Sequence, residues 1–275
     1  MPFAFSLDRP MSSNPVVIRP CEGFEELSAC VQLQVDVWGY GDRDVIPRRV
    51  FVVSQNIGGQ VFGAFVGDKL VGFAMALPGI SEGRPYLHSH MLAVNPDYRN
   101  QGIGRRLKLV QRDEALARGI NRMEWTFDPL EIKNSFLNLS KLGAVVRRYA
   151  ANFYGVSSSR LHGQVPTDRL YAEWWLDSDW VCSALEGKPV VIPTVEQEIV
   201  VPHQIPHWRH SPVDQERVLD VQTRNREQFQ QAFASQLAVV GFRIDGEGNG
   251  VFQLGRWQEP FDSSQSLQPV SGRCS

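Results

Sequence analysis

"HSHMLAVNPDYRNQGIGRRLKLVQRDEALARG", residues 88–119, decides the fold. A strand-like run, His88 to Val94, stops at Asn95-Pro96. Arg99, Gly102, Gly104, Arg105 and Arg106 follow, and then a long amphipathic run. Glycines at a strand-to-helix junction let backbone N–H groups converge on an anion. The helix N-terminus adds partial positive charge, and the arginines add full charges. A phosphate or pyrophosphate is the ligand this chemistry expects. Two nucleotide motifs fail. The P-loop needs Gly-Lys-Ser/Thr, whereas Gly104 is followed by Arg105-Arg106; the GxGxxG fingerprint needs glycine where Leu107 stands.

Outward from this stretch, Val16 to Arg19 predicts a strand and Glu22 to Trp38 a helix, with apolar residues at 24, 27, 31, 35 and 38. Pro47 opens a second helix ending near Gly58-Gly59. Gln60 to Val66 and Leu70 to Leu77 form a hairpin about Gly67-Asp68. A loop, Pro78 to Pro85, leads into the strand from Tyr86 to Val94. The helix from Gly102 to Arg118 presents Ile103, Leu107, Val110 and Ala117 as its apolar face, with Gly119 as C-cap. Arg122 to Phe127 is a strand, Ile132 to Leu142 a short helix, and Ala144 to Tyr149 and Leu170 to Leu176 are strands. Beyond Asp177 one strand is expected near Glu198 to Val201, then a polar helix (Asp214 to Gln236) and a hairpin (Leu237 to Ile244 with Val251 to Trp257).

The chain has 275 residues, 43% hydrophobic and 21% charged, as ordinary globular proteins have. Its formal net charge of -2 implies no general attraction to nucleic acid or to an anionic membrane. No apolar run reaches the roughly 20 residues that cross a bilayer, and residues 1–14 read as a flexible leader rather than a signal peptide. Four scattered cysteines, without a CxxC pair, suggest reduced thiols and a cytoplasmic location. His203, His207 and His210 invite a metal reading. Neighbouring prolines and the lack of a completing carboxylate or cysteine argue against it, so no metal is expected.

Leu92-Ala93-Val94, Pro96, Tyr98-Arg99, Gly102, Gly104 and the helix after them resemble the GCN5-related N-acetyltransferase (GNAT) superfamily, in a bacterial branch. The order of elements agrees over roughly residues 16–176. The resemblance implies an α/β (α+β) fold. Its mixed, mostly antiparallel sheet would be splayed at strands 4 and 5, with helices on both faces. Residues 15–178 would form this domain, 179–259 a C-terminal α-β-β extension, and 260–275 a disordered tail. It also implies acetyl-CoA, or another acyl-CoA, as co-substrate. The pyrophosphate would lie on the turn Arg99, Asn100, Gln101, Gly102, Ile103, Gly104, Arg105, Arg106. The pantetheine arm would pair with Leu92, Ala93 and Val94, and Asn134 or Asn138 would bond to it. Arg105, Arg106, Lys108 and Arg112 are candidate screens for the 3′-phosphate. The family's usual phenolic acid is absent, because Leu139 holds its position.

Acyl transfer to an amine needs a proton acceptor, an oxyanion donor and an acid for the thiolate. The resemblance puts the oxyanion amide at Val94 or its neighbour, and the base at His88. By alternation His88, His90, Leu92 and Val94 share one strand face. Asp128 is a second candidate base; Glu124 reads better as an exposed strand residue. Tyr154 and Tyr149 are the available phenols, with Tyr154 preferred as the acid. The acceptor pocket would draw on Trp38, Tyr40, Asp44, Arg84 and His90. Aromatic residues beside acids suit a small amine or amino-acid-like acceptor. The expected activity is direct N-acetyl transfer in a ternary complex. The alternative is a non-catalytic acyl-CoA sensor, and a third reading is a structural partner of another enzyme. Trp174, Trp175 and Trp180 would bury an interface with the extension or with a second copy, leaving a homodimer open.

Overall fold

The computed structural model describes residues 15–41, 43–155, 165–188 and 192–258. The leader and tail expected at the two ends lie outside these residues. In chain order the elements are β1 (Val16–Pro20), α1 (Gly23–Trp38), α2 (Arg48–Asn56), β2 (Gln60–Val66), β3 (Lys69–Ser81), β4 (Arg84–Val94), α3 (Ile103–Ala117) and β5 (Arg122–Phe127). Then come α4 (Ile132–Ser135, continued by a π-type turn Phe136–Lys141), β6 (Val145–Ala150), β7 (Arg169–Trp175), α5 (Asp179–Leu185), β8 (Gln197–Val201), α6 (Ile205–Arg209), α7 (Gln215–Ala234), β9 (Leu237–Ile244) and β10 (Gly250–Arg256). Among the described residues, no helix is long and apolar enough to cross a membrane.

Among the described residues, all ten strands join one sheet, ordered β1-β2-β3-β4-β5-β7-β6-β9-β10-β8. Every pairing is antiparallel except β4–β5. The fold is therefore the expected mixed sheet with helices. The C-terminal strands continue this same sheet, with β9 meeting β6 at Val146↔Val239. They are anchored by Phe229 of α7, fully buried against Tyr149 and Phe252. Burying such a ring stabilises by about 1.5–3 kcal/mol.

Two expectations need correction here. The segment from Pro78 to Pro85 is strand, not loop: β3 and β4 pair out to Ser81↔Arg84 and turn at Glu82-Gly83. β2 ends its pairing at Gln60↔Ala76, so beyond that point β3 has a free edge where Pro78 sacrifices no ladder bond. The buried face of α3 also differs. Ala117 is exposed, while Lys108, Gln111, Arg112 and Ala115 are buried beside Ile103 and Leu107. Polar side chains hide half of this face from an apolar pattern.

One cluster, with Phe51, Phe73, Met75, Met91 and Ala93, packs the α1–α2 side of the sheet. A second, with Ile103, Leu107, Ala74, Leu92 and Val94, packs the α3 side. The largest runs from Leu87 and Met123 through Trp174 to the C-terminal strands.

Candidate functional site

β4 and β5 pair only at Leu87↔Met123 and His88↔Glu124. Beyond these they diverge, and among the described residues no strand fills the gap. A cavity of about 580 Å³ opens there. Trp38 and Tyr40 line it from one side of the sheet, and Lys108 of α3 from the other. The remaining wall comes from Ser89 to Leu92, Trp125 to Asp128, Glu131, Asn134, Leu137 and Asn138, with Tyr154 and Arg169 at its end.

Above the gap, Asn100 (φ 62°) and Gly102 (φ 74°) take left-handed conformations, which turns successive N–H groups inward. No side chain caps α3, and its first intrahelical bond runs from Arg106 N–H to Gly102 C=O. The N–H groups of Ile103, Gly104 and Arg105 precede that bond and are orphan donors. A Cβ added at Gly102 would meet nothing within 4 Å, so this side of the turn is open. An open nest of orphan amides fits a pyrophosphate. The side chains around it are partly engaged. Arg99 donates to Val94 O (3.2 Å), Arg105 to Leu185 O (2.8 Å) and Arg106 to Val16 O (2.8 Å). Lys108 and Arg112 are buried, and Arg112 donates to Leu176 O (2.7 Å), so neither reaches the surface as a phosphate screen.

β4 carries a bulge. Ser89 pairs with Ala76 and Met91 with Met75, which leaves His90 extra. A bulge re-aims the side chains on either side of it. Ser89 faces α3, accepting from Lys108 and donating to Gln111, and Leu92 and Val94 also pack on the α3 side. His88 and His90 lie on the opposite face, with ring centroids 5.9 Å apart. The one-face alternation expected from His88 to Val94 is therefore broken at His90. Burial first, and then the neighbouring His90, push the His88 pKa down to about 4; burial also lowers that of His90. Both imidazoles are neutral near pH 7. His90 lines the cavity; His88 stands behind it, and Leu92 is in the wall.

Asp128 lines the far end. Its carboxylate accepts from Arg209 (2.7 Å) and from the Leu130 amide (2.8 Å). Burial alone would raise its pKa, but Arg209, with Arg169 and that amide, holds it below the usual carboxylate range. A carboxylate so held has low proton affinity. Glu131 takes the other arm of Arg209 (2.7 Å), yet burial raises its pKa. Glu124 is not an exposed strand residue: it is buried and paired with Arg122 and Arg148 (2.8 Å). Tyr154 is half exposed, its hydroxyl 3.0 Å from Thr126 Oγ1. Tyr149 donates instead to Asp168, which places its phenol outside this cavity; burial first, and then that bond, drive its pKa up.

Trp38 and Tyr40 stack at 5.3 Å in the cavity wall, with Asp44 beside them. Arg84 stands exposed near the β3–β4 hairpin tip and does not line the cavity. Asn134 and Asn138 do, linked by a bond of 3.4 Å. Leu139 is buried and faces a different cavity. Sequence reasoning missed Arg209, Glu131, Ser89 and Arg169, and it read Lys108 only as a phosphate screen. Arg209 sits in the stretch singled out for its histidines, and only a contact across about 80 residues reveals its partners.

Residues 28–134 match the family model described as Acetyltransferase (GNAT) family. A search of curated proteins returned no match. Similar solved structures include the ribosomal-protein-S18-alanine N-acetyltransferase of Escherichia coli. It is 20% identical, covering 59% of this chain and 94% of that one, with a TM-score of 0.46. Aminoglycoside 6'-acetyltransferase type Ii is 20% identical over 58% and 97%, with a TM-score of 0.47. A GNAT family acetyltransferase from Elizabethkingia anophelis with acetyl-CoA bound is 16% identical over 58% and 98%, with a TM-score of 0.42.

Proposed function

We propose, for a chain whose residues 28–134 match the acetyltransferase (GNAT) family model, that it transfers an acyl group from acyl-CoA to an amine. The donor is acetyl-CoA and the acceptor a small molecule or amino-acid-like compound. One observation carries this reading: an open nest of orphan amides follows the strand that borders a gap passing through the sheet. The amides from Gln101 to Arg106 hold the pyrophosphate. The free edge of Leu92 and Val94 pairs with the pantetheine amides, which present donors and acceptors as a strand does. Asn134 and Asn138 orient the arm from α4. When bound, acyl-CoA supplies the activated acyl group.

Across the gap, the stacked Trp38–Tyr40 pair and Asp44 give an ammonium both aromatic faces and a counter-charge. His90 contacts the acceptor. His90, in the wall, relays the proton of the attacking nitrogen to neutral His88 behind it. Residues 179–259 work as an extension that closes the far wall through Arg209. Leu139, in the place of a phenol, favours the sensor reading, and a single assay separates the two. Calorimetry with CoA should show heat, and thiol release with an amine panel should show turnover that His88→Ala abolishes while CoA still binds. Binding without turnover for every amine would establish the sensor; no heat would end both readings.

A further inference from the structure

Lys108 extends from α3 to the base of the fork. It is 4% exposed, yet it lines the cavity. Its Nζ donates to Ser89 Oγ at 2.7 Å and lies 3.6 Å from the centre of the Trp125 ring. Ser89 and Trp125 are the first residues beyond the paired part of β4 and β5. Among the described residues no carboxylate pairs with this ammonium, and burial alone holds its pKa well below the usual lysine range. Ser89 is fixed as the acceptor, since its own hydroxyl donates to Gln111 Oε1 at 2.9 Å. Among the described residues the only partners of the ammonium are that hydroxyl and the Trp125 ring face, and neither carries a counter-charge. A lysine buried without a carboxylate is costly to keep charged and is poised to give up its proton.

We propose that Lys108 is the acid of the reaction, giving its proton to the sulfur of the departing CoA thiolate at the base of the fork. This rests on the acyl-CoA reading above and fills the role that Leu139 cannot. The carbon–sulfur bond breaks with its electron pair on sulfur, and Lys108 supplies one proton to it. The acceptor nitrogen forms the new bond to the acyl carbon and loses one proton through His88, which releases it to solvent. Solvent returns a proton to the Lys108 amine, so charge and atoms balance. The cation needs no ion-pair partner because its partner forms during the reaction.

The charged groups around Lys108 are few. His88 and His90 of β4 are neutral near pH 7. Glu124 of β5 is bound to Arg122 and Arg148, Arg112 on α3 donates to Leu176 O, and Glu114 pairs with Arg118. Asp128 and Glu131 sit at the far end of the cavity on Arg209. None holds Lys108 charged.

The test titrates the thiol of bound CoA by thiolate absorbance, between about pH 6 and 10, in wild type, Lys108→Met and Lys108→Arg. The wild-type thiol should titrate below its free value, and Lys108→Met should raise it by about one pH unit or more. Lys108→Arg should keep it low, because the guanidinium stays charged. Both variants should lower kcat about 10²-fold with little change in KM for acyl-CoA, since neither donates a proton. The alkaline limb of kcat, set by loss of the lysine proton, should vanish from both. Selective 15N labelling of wild-type lysines should show one titrating below the others and shifting on CoA addition, which needs no variant. Identical thiol titrations in wild type and Lys108→Met would overturn the proposal. So would a fall in kcat under about threefold, or an acetyl group on Lys108 in the intact mass. Failure of these with CoA bound and wild type turning over touches Lys108 alone; absence of CoA binding to wild type removes the acyl-CoA reading itself.

Discussion

Arg209→Met removes a guanidinium that is 4% exposed and leaves Asp128, 12% exposed, without its cation. Breaking a buried pair from one side costs about 3–5 kcal/mol. Asp128 keeps the Leu130 amide at 2.8 Å, which argues for the low end, and the Glu131 arm is too exposed to add much. The expected loss is about 3 kcal/mol, or roughly 6–10 °C in Tm for a chain of this size. Its pH dependence has a definite sign. In wild type the folded pKa of Asp128 is depressed, so its contribution is full above the unfolded value and is lost as pH falls through the folded one. In Arg209→Met only Arg169 and the Leu130 amide oppose burial, the largest influence on this carboxyl, so its folded pKa rises above the unfolded value. Acidification then protonates it in the native state and recovers stability. Urea midpoints should differ by more at pH 7 than at about pH 4.5, and Asp128→Asn in the Arg209→Met background should restore part of the loss at pH 7. A loss under about 1 kcal/mol, or one equal at both pH values, would refute the argument.

Gly104→Ala should leave stability unchanged or raised by up to about 1 kcal/mol, because its Cβ meets Leu92 Cδ2 at an ordinary 3.4 Å. The same methyl covers part of the Leu92–Val94 edge, so calorimetry should show CoA bound about tenfold more weakly. If His88 is the base, the acidic limb of kcat should fall near pH 4 rather than 6.5, since burial depresses its pKa and it must be neutral to act; a limb near 6.5 would point elsewhere. Cys21 and Cys30 are buried with sulfurs 3.8 Å apart, and burial with this contact pushes the Cys30 thiol up. Alkylation of Cys30 at pH 8 should be slow in the native protein and rapid in denaturant, as peptide mapping would show.

Much of the fold was legible because β-branched runs and glycine turns coincide along the core. Arg122–Phe127 was read to the residue, and Gly67-Asp68 placed its hairpin. The misses share a cause. Pro78 and Gly79 read as loop, yet they fall where β3 has lost β2 and has an edge to spare. α5 and α6 are only seven and five residues long, too short for periodicity to register among prolines. The anion nest was legible because it is local, built from neighbours in sequence. The chemistry beside it was not. The bulge at His90 arises from pairing with β3, and no alternation pattern encodes it. Lys108 reads as one more charge on a basic helix until the sheet closes over it.

The extension bears on the site in a way a domain boundary at 178 obscures. Arg209 bridges Asp128 and Glu131, and those two carboxylates form the far wall of the cavity. Without that arginine, Arg169 and the Leu130 amide would be left against burial, which pushes both carboxyls up. The field felt by a substrate at that end therefore depends on a residue some eighty positions away. At the other end, Arg105 of the nest donates to Leu185 O at the close of α5, so the extension also fixes one arginine beside the nest. The segment after residue 178 thus reaches the cavity wall through Arg209 and the nest through Leu185, which lines a separate cavity with Arg105. Residues 28–134, which match the family model, contain neither that arginine nor Leu185.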